Sequence, residues 1–230
     1  MMLTPPVFHI DSLDLCFTPK PWAFADERRA EIDAYFNALK REKPDVWNGR
    51  VLLMYDRAVE NGVLRGQYLE TDYASFSAWC HWDRPAAGVG AAIMSADGAF
   101  LLGVMGSHTF NGGRVYFPCG TPDPGIIVDG KVDLGLSLRR ELEEETGLDM
   151  TAFDVEPGWT MAVDGALMAQ IKVLRSNETA TALRERILEN LASEERPELA
   201  DIRIVRGPGD FDPAMPGYAI MFLTSRFGRE

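Results

Sequence analysis

Glu141, Glu144 and Glu145 stand three and four positions apart in the stretch Arg140-Glu141-Leu142-Glu143-Glu144-Glu145-Thr146-Gly147-Leu148. At about 100° per residue these three carboxylates fall in one narrow sector of a helix, while Glu143 points the other way. Carboxylates crowded near the negative end of a helix dipole repel one another and the dipole, and a bound divalent cation removes that cost. Carboxylate oxygens are the ligands that Mg²⁺ and Mn²⁺ prefer, and Mg²⁺ is typically shared with substrate phosphates instead of being caged by protein. The chemistry open to such a set is hydrolysis of a diphosphate: divalent ions neutralise its oxygens, orient an attacking water and lower its pKa. On charge alone the plainer reading is a solvated acidic face in an acidic protein.

A helix that does this work must be anchored. Leu134, Leu138 and Leu142 repeat at i, i+4 and i+8, an apolar stripe that packs one side inward while the carboxylates converge beside it. Asp133 is placed as N-cap, and Gly147 followed by Leu148 suits a left-handed C-cap with its apolar clasp.

The stretch resembles the second half of the Nudix box, whose pattern is G-x5-E-x7-R-E-U-x-E-E-x-G-U with U aliphatic. Arg140, Glu141, Leu142, Glu144, Glu145, Gly147 and Leu148 fill every specified position of that half, and Phe117-Pro118-Cys119-Gly120 resembles the Phe-Pro-Gly-Gly that opens the box. The middle departs from the pattern. Val132 stands where the family has its first Glu, and Thr121-Pro122-Asp123-Pro124-Gly125 and Asp129-Gly130-Lys131 lengthen the loop. Asp133 or Asp129 can substitute for that Glu from a neighbouring position. The resemblance implies an α/β/α Nudix sandwich with a mixed sheet, Mg²⁺ (or Mn²⁺) held by Glu141, Glu144 and Glu145 with the last two most critical, and a backbone carbonyl near Cys119 or Gly120 completing the shell. Arg140 then orients a carboxylate, since its helix neighbours are the ligands.

The chain has 230 residues, 46% of them hydrophobic, enough for one sizeable core or a core plus a smaller subdomain. A net charge of −12 disfavours nucleic acid and anionic membranes as partners, both of which select basic surface. It leaves phosphate ligands open, because a metal supplies the local positive charge. Cys16, Cys80 and Cys119 are odd in number and widely spaced, as expected of reduced thiols. With no apolar run near the ~20 residues that span a bilayer, and no signal-like N-terminus, a cytoplasmic protein is expected.

Along the chain, residues 7–10 and 13–17 read as short strands at the edge of a small sheet. Asp26 is placed to cap a helix in which Ile32, Tyr35, Phe36 and Leu39 recur with helical period. Residues 51–55 and 63–69 read as paired strands turning at Glu60-Asn61-Gly62, followed by a helix over 72–82. Residues 88–94 and 100–105 read as a hairpin, 114–117 as a strand into the box, and 159–174 as later strands. A helix over 178–193 and a strand over 218–223 complete an α/β domain at 87–230, behind an N-terminal α+β subdomain at 1–86. Trp47-Asn48-Gly49, residues 69–76 and Gly88-Val89-Gly90 in the front half loosely resemble the N-terminal domain of Nudix enzymes of the UDP-glucose diphosphatase branch, which release UMP and a sugar 1-phosphate.

The implied substrate is a nucleoside diphosphate linked to another moiety, with a UDP-sugar first and ADP-ribose, dinucleotides or coenzyme A derivatives next. A Nudix-like module that binds a nucleotide without cleaving it is the alternative, and family members often form homodimers. The general base lies in the box helix or among Glu194, Glu195 and Glu198, each of which reads more simply as a solvated loop residue. Trp47, Tyr73, Trp79 and Trp82 can stack a base but more often form core. Lys131, Arg114 and Arg139 can meet phosphates. His108 is in a loop that can border the site, His81 reads as packing, and Cys119 reads as a small buried residue and not a nucleophile.

Overall fold

The computed structural model describes residues 6–82 and 85–228; the first residues, scanned above for a signal segment, lie outside the described residues. The front half comprises β1 (Val7–Ile10), β2 (Ser12–Phe17), α1 (Ala23–Glu27), α2 (Arg29–Glu42), β3 (Arg50–Glu60), β4 (Val63–Asp72) and α3 (Tyr73–His81). It is followed by β5 (Ala86–Met94), β6 (Phe100–Met105), β7 (Val115–Tyr116), β8 (Cys119–Gly120), β9 (Ile127–Val128), β10 (Lys131–Val132) and α4 (Leu134–Thr146). The chain continues with β11 (Asp154–Val155), β12 (Trp159–Asp164), β13 (Leu167–Arg175), α5 (Ala180–Ser193), β14 (Leu199–Val205) and α6 (Gly217–Phe227).

Two mixed sheets result, as an α/β reading requires. The larger runs β1-β12-β13-β5-β6-β14, with β13 and β5 parallel and the other pairs on this path antiparallel. The smaller runs β3-β4-β2-β10-β9, with β2 and β4 parallel. Side chains alternate across β5. Ala87, Val89, Ala91 and Ile93 face a core shared with Leu52, Leu64 and Tyr68 of the small sheet and with the apolar stripes of α4 and α5. Ala92, on the opposite face, packs with Ala219 and Phe222 of α6. The large sheet is therefore covered on both faces, an α/β/α layering. A third cluster, Ile32 and Phe36 with Ala74 and Ala78, joins α2 to α3.

Several elements depart from the sequence reading. Residues 218–223 are helical: Ala219, Phe222 and Leu223 are buried at i, i+3 and i+4, so this short apolar run obeys the helical period and follows Pro216, which stands at the helix N-cap. Asp26 lies inside α1; α2 starts at Arg29, and its N-cap, Arg28, makes no side-chain cap bond. The two N-terminal strands belong to different sheets, β1 at the edge of the large one and β2 inside the small one. The inserted loop is a structured hairpin. Asp129 and Gly130, at φ of 49° and 76°, form its tight turn, and Lys131 pairs with Cys16 of β2. No helix of the described residues is long and apolar enough to cross a membrane.

Candidate active site

Helix α4 is fixed at both ends and along one side. The Asp133 carboxylate accepts from the Leu136 N–H at 3.0 Å, and Gly147 closes the helix at φ 67°. Only a residue without a side chain fits at that cap, since a Cβ on Gly147 would come within 2.3 Å of Asn190. Leu134, Leu138 and Leu142 are fully buried, which sets the rotation of the helix and so the direction of its carboxylates.

That rotation turns Glu141 and Glu145 onto β8. The Cys119 N–H donates to Glu145 Oε2 at 3.1 Å, and Glu145 is 3% exposed. Glu141 lies against Gly120 so closely that a Cβ there would sit 2.2 Å from its carboxyl carbon. The glycine of the box entrance is thus a site requirement: any side chain would displace the carboxylate. Glu144, one turn on, keeps 63% of its side chain exposed and stands 3.9 Å from Arg140 Nε. All three line one cleft of about 570 Å³, with Asp123, Arg140 and Glu198.

The electrostatics are those of a charge deficit. Burial pushes the Glu141 carboxyl up to about 7; Arg140 pulls it back, and Glu144 and Glu198 push it further. Glu145 is raised well above its ordinary value by burial first, then by Glu141 and Glu198, against the Cys119 N–H. A half-buried and a buried acid with one nearby guanidinium have too little positive charge of their own, which suits an oxygen-ligated cation shared with a substrate's phosphates. Among the described residues, no three His, Cys, Asp or Glu side chains are gathered closely enough to cage an ion by themselves.

Arg140 is held by a residue that the box spacing does not point to. Its Nη2 donates to Asp123 Oδ2 at 2.5 Å and to Glu141 Oε1 at 3.4 Å. Burial works against the guanidinium charge, but Asp123 and Glu141 outweigh it and the net shift is upward. Neither Asp133, occupied as a cap, nor Asp129, exposed in the hairpin turn, takes the missing glutamate's place in the cleft. Asp123 is held in place by its own Asx turn, accepting from the Gly125 N–H at 2.6 Å, while the Leu52 N–H donates to the Pro122 carbonyl beside it.

Of the three downstream glutamates only Glu198 lines the cleft; Glu194 accepts from Asn190 Nδ2 at 2.9 Å, and Glu195 is exposed outside it. His108 borders the cleft, whereas His81 stacks on Tyr35 with centroids 4.7 Å apart. Burial, then Glu145 and Glu141, push the Cys119 thiol well up, so it stays protonated at neutral pH. Trp47 and Tyr73 line the cleft, while Trp79 and Trp82 pack with Phe24. Lys131 is bound to Asp14 at 2.7 Å, Arg139 is exposed outside the cleft, and Arg114 lines a neighbouring cavity.

No family model matches the chain, and no curated protein matches it. Solved structures are similar in part. A Nudix hydrolase from M. smegmatis, RenU, aligns at 16% identity over 62% of this chain and 83% of its own, with a TM-score of 0.39. The MutT protein from Methanosarcina mazei Go1 aligns at 20% identity over 64% of this chain and 95% of its own, with a TM-score of 0.40. A bifunctional NMN adenylyltransferase/ADP ribose pyrophosphatase from Francisella tularensis aligns at 13% identity over 67% of this chain and 44% of its own, with a TM-score of 0.41.

Proposed function

We propose that the protein is a divalent-metal-dependent diphosphate hydrolase of the Nudix type, acting on a nucleoside diphosphate linked to a second moiety. The observation that carries this reading is the pair of acids, half-buried Glu141 and buried Glu145, set one turn apart against β8 with Arg140 as their neighbouring cation. Glu141, Glu144 and Glu145 would hold Mg²⁺ or Mn²⁺, sharing it with the substrate's phosphates. A bound ion there supplies neutralisation of the phosphate oxygens and a lowered pKa for the attacking water.

The chain's own groups do the rest. Glu145 is aimed by the Cys119 N–H, and Glu141 by Arg140, itself anchored on Asp123. Glu198, exposed and lining the cleft, would take the proton of the attacking water. A UDP-sugar, giving UMP and sugar 1-phosphate, is the first substrate to test, on the front-half resemblance; ADP-ribose, dinucleotides and coenzyme A derivatives follow. Incubation of that panel with Mg²⁺ and chromatographic separation of products tests the reading. Release of a nucleoside monophosphate supports it. Tight binding without turnover across the panel overturns it in favour of a nucleotide-binding module.

A further inference from the structure

The carboxylate cleft takes part of its lining from the front half. Trp47, in the loop between α2 and β3, lines the cleft with 61% of its surface in water. Tryptophan is seldom left so open, and this one is not loose. Its indole lies over Gly49, where an added Cβ would come within 1.5 Å of the ring's Cζ2. The loop is fixed by the Ala74 N–H, which donates to Asn48 Oδ1 at 2.7 Å, and by the Tyr73 N–H, which donates to the Gly49 carbonyl at 2.9 Å. Tyr73 stands beside the indole, with ring centroids 6.3 Å apart. The indole is therefore held in place with surface left to receive a ligand.

Two residues before Trp47, the Asp45 carboxylate accepts from Arg196 Nη2 at 2.6 Å. Both side chains line the cleft, both are more than half exposed, and they reach it from opposite halves of the chain. An exposed pair of this kind contributes little to stability. One bond leaves further donors on the guanidinium and further lone pairs on the carboxylate. Aromatic surface beside such a pair selects a class of ligand. A carboxylate only accepts and a guanidinium only donates, so hydroxyls on adjacent carbons, one donating and one accepting, satisfy both. A sugar ring carries such a diol and turns a face of C–H groups to the electron-rich face of the indole. Because the place is open, its other hydroxyls stay in water and carry no burial penalty. His108, Thr109 and Asn111 of the same lining add further polar groups.

We propose that Trp47, Asp45 and Arg196 form a sugar seat, which takes the moiety beyond the substrate's diphosphate. Its assignment to the substrate rests on the proposed hydrolase reading, since one cleft holds these residues together with Glu141, Glu144 and Glu145, but the seat is testable without metal or turnover. Saturation-transfer NMR in EDTA, with millimolar methyl glucoside, methyl galactoside, methyl riboside and uridine as probes, reads it directly. At least one glycoside is expected to show transfer at its ring protons. Trp47→Ala removes the platform and Asp45→Ala the acceptor, and each is expected to weaken that transfer about two- to tenfold. Gly49→Ala, which keeps the indole but displaces it, is expected to do the same. Circular dichroism checks that the variants are folded; should Gly49→Ala not fold, the two variants at exposed positions decide. Transfer to no glycoside, or equal transfer in wild type and folded Trp47→Ala, overturns the seat. Loss of transfer to uridine alone in Trp47→Ala also overturns it, because the indole is then a platform for a base. Turnover of the nucleotide panel is read separately. Trp47-dependent glycoside binding without hydrolysis of any panel member supports the seat and overturns the hydrolase reading, whereas hydrolysis without such binding overturns the seat alone.

Discussion

Asp123 and Arg140, seventeen residues apart in sequence, are joined by an ion pair of 2.5 Å, which places Arg140 within 3.4 Å of Glu141. The carboxylate that anchors Arg140 thus comes from the loop before β9. Asp123→Asn is expected to lower turnover by ~10–100-fold, the range typical of groups that orient a metal ligand. Asp129→Asn and Asp133→Asn, which touch neither Arg140 nor Glu141, are expected to leave it unchanged within about twofold. Steady-state kinetics on the three variants separate them, and an equal fall for Asp129→Asn would remove the special role of Asp123.

Glu198 is distinguished from its neighbours by position alone. Glu198→Gln is expected to reduce kcat by ~10²–10⁴-fold. Glu194→Gln and Glu195→Gln, outside the cleft, keep kcat within about twofold. An unchanged kcat in Glu198→Gln would move the general base into the box helix.

The raised carboxyls of α4 make stability depend on pH in a particular direction. Glu141 is raised from its ordinary value of 4.5 to about 7, so between those values the folded protein binds more protons than the unfolded chain and stability falls as pH rises. Glu145, raised in the same sense, adds to the fall. An ion that takes the deprotonated carboxylates offsets this. Differential scanning calorimetry should show Mg²⁺ raising Tm more at about pH 8 than at about pH 5, with the difference reduced in Glu141→Gln. The same Mg²⁺ shift at both pH values would count against ligation by these groups.

The carboxylates point where they do because α4 is packed and capped. Leu142→Ala, at a fully buried position, is expected to cost ~2–5 kcal/mol, and Asp133→Ala, which removes the cap bond to Leu136, about 1 kcal/mol. Urea denaturation measures both. A loss under ~0.5 kcal/mol for Leu142→Ala would mean the stripe does not set the helix.

What could be read from sequence followed the strength of local signals. The stripe and caps of α4, the β3–β4 hairpin through Asn61 and Gly62, and the helix expected over 72–82 are all present, because period and turn chemistry agree there. Residues 218–223 went astray because six apolar residues fit strand or helix, and only burial against Phe100 and Phe117 decides. Asp123 was hidden for a different reason. Its place beside Arg140 is set by the Leu52 N–H bond to the Pro122 carbonyl, from a strand seventy residues earlier in the chain, a contact that no local pattern encodes.

Manganese titration followed by electron paramagnetic resonance of the free ion tests the central claim most directly. Wild-type protein is expected to remove Mn²⁺ from solution with saturable, submillimolar affinity, and Glu145→Gln, folded by circular dichroism, to lose that uptake. No uptake by wild type, or the same uptake by the variant, would contradict a metal held by this helix.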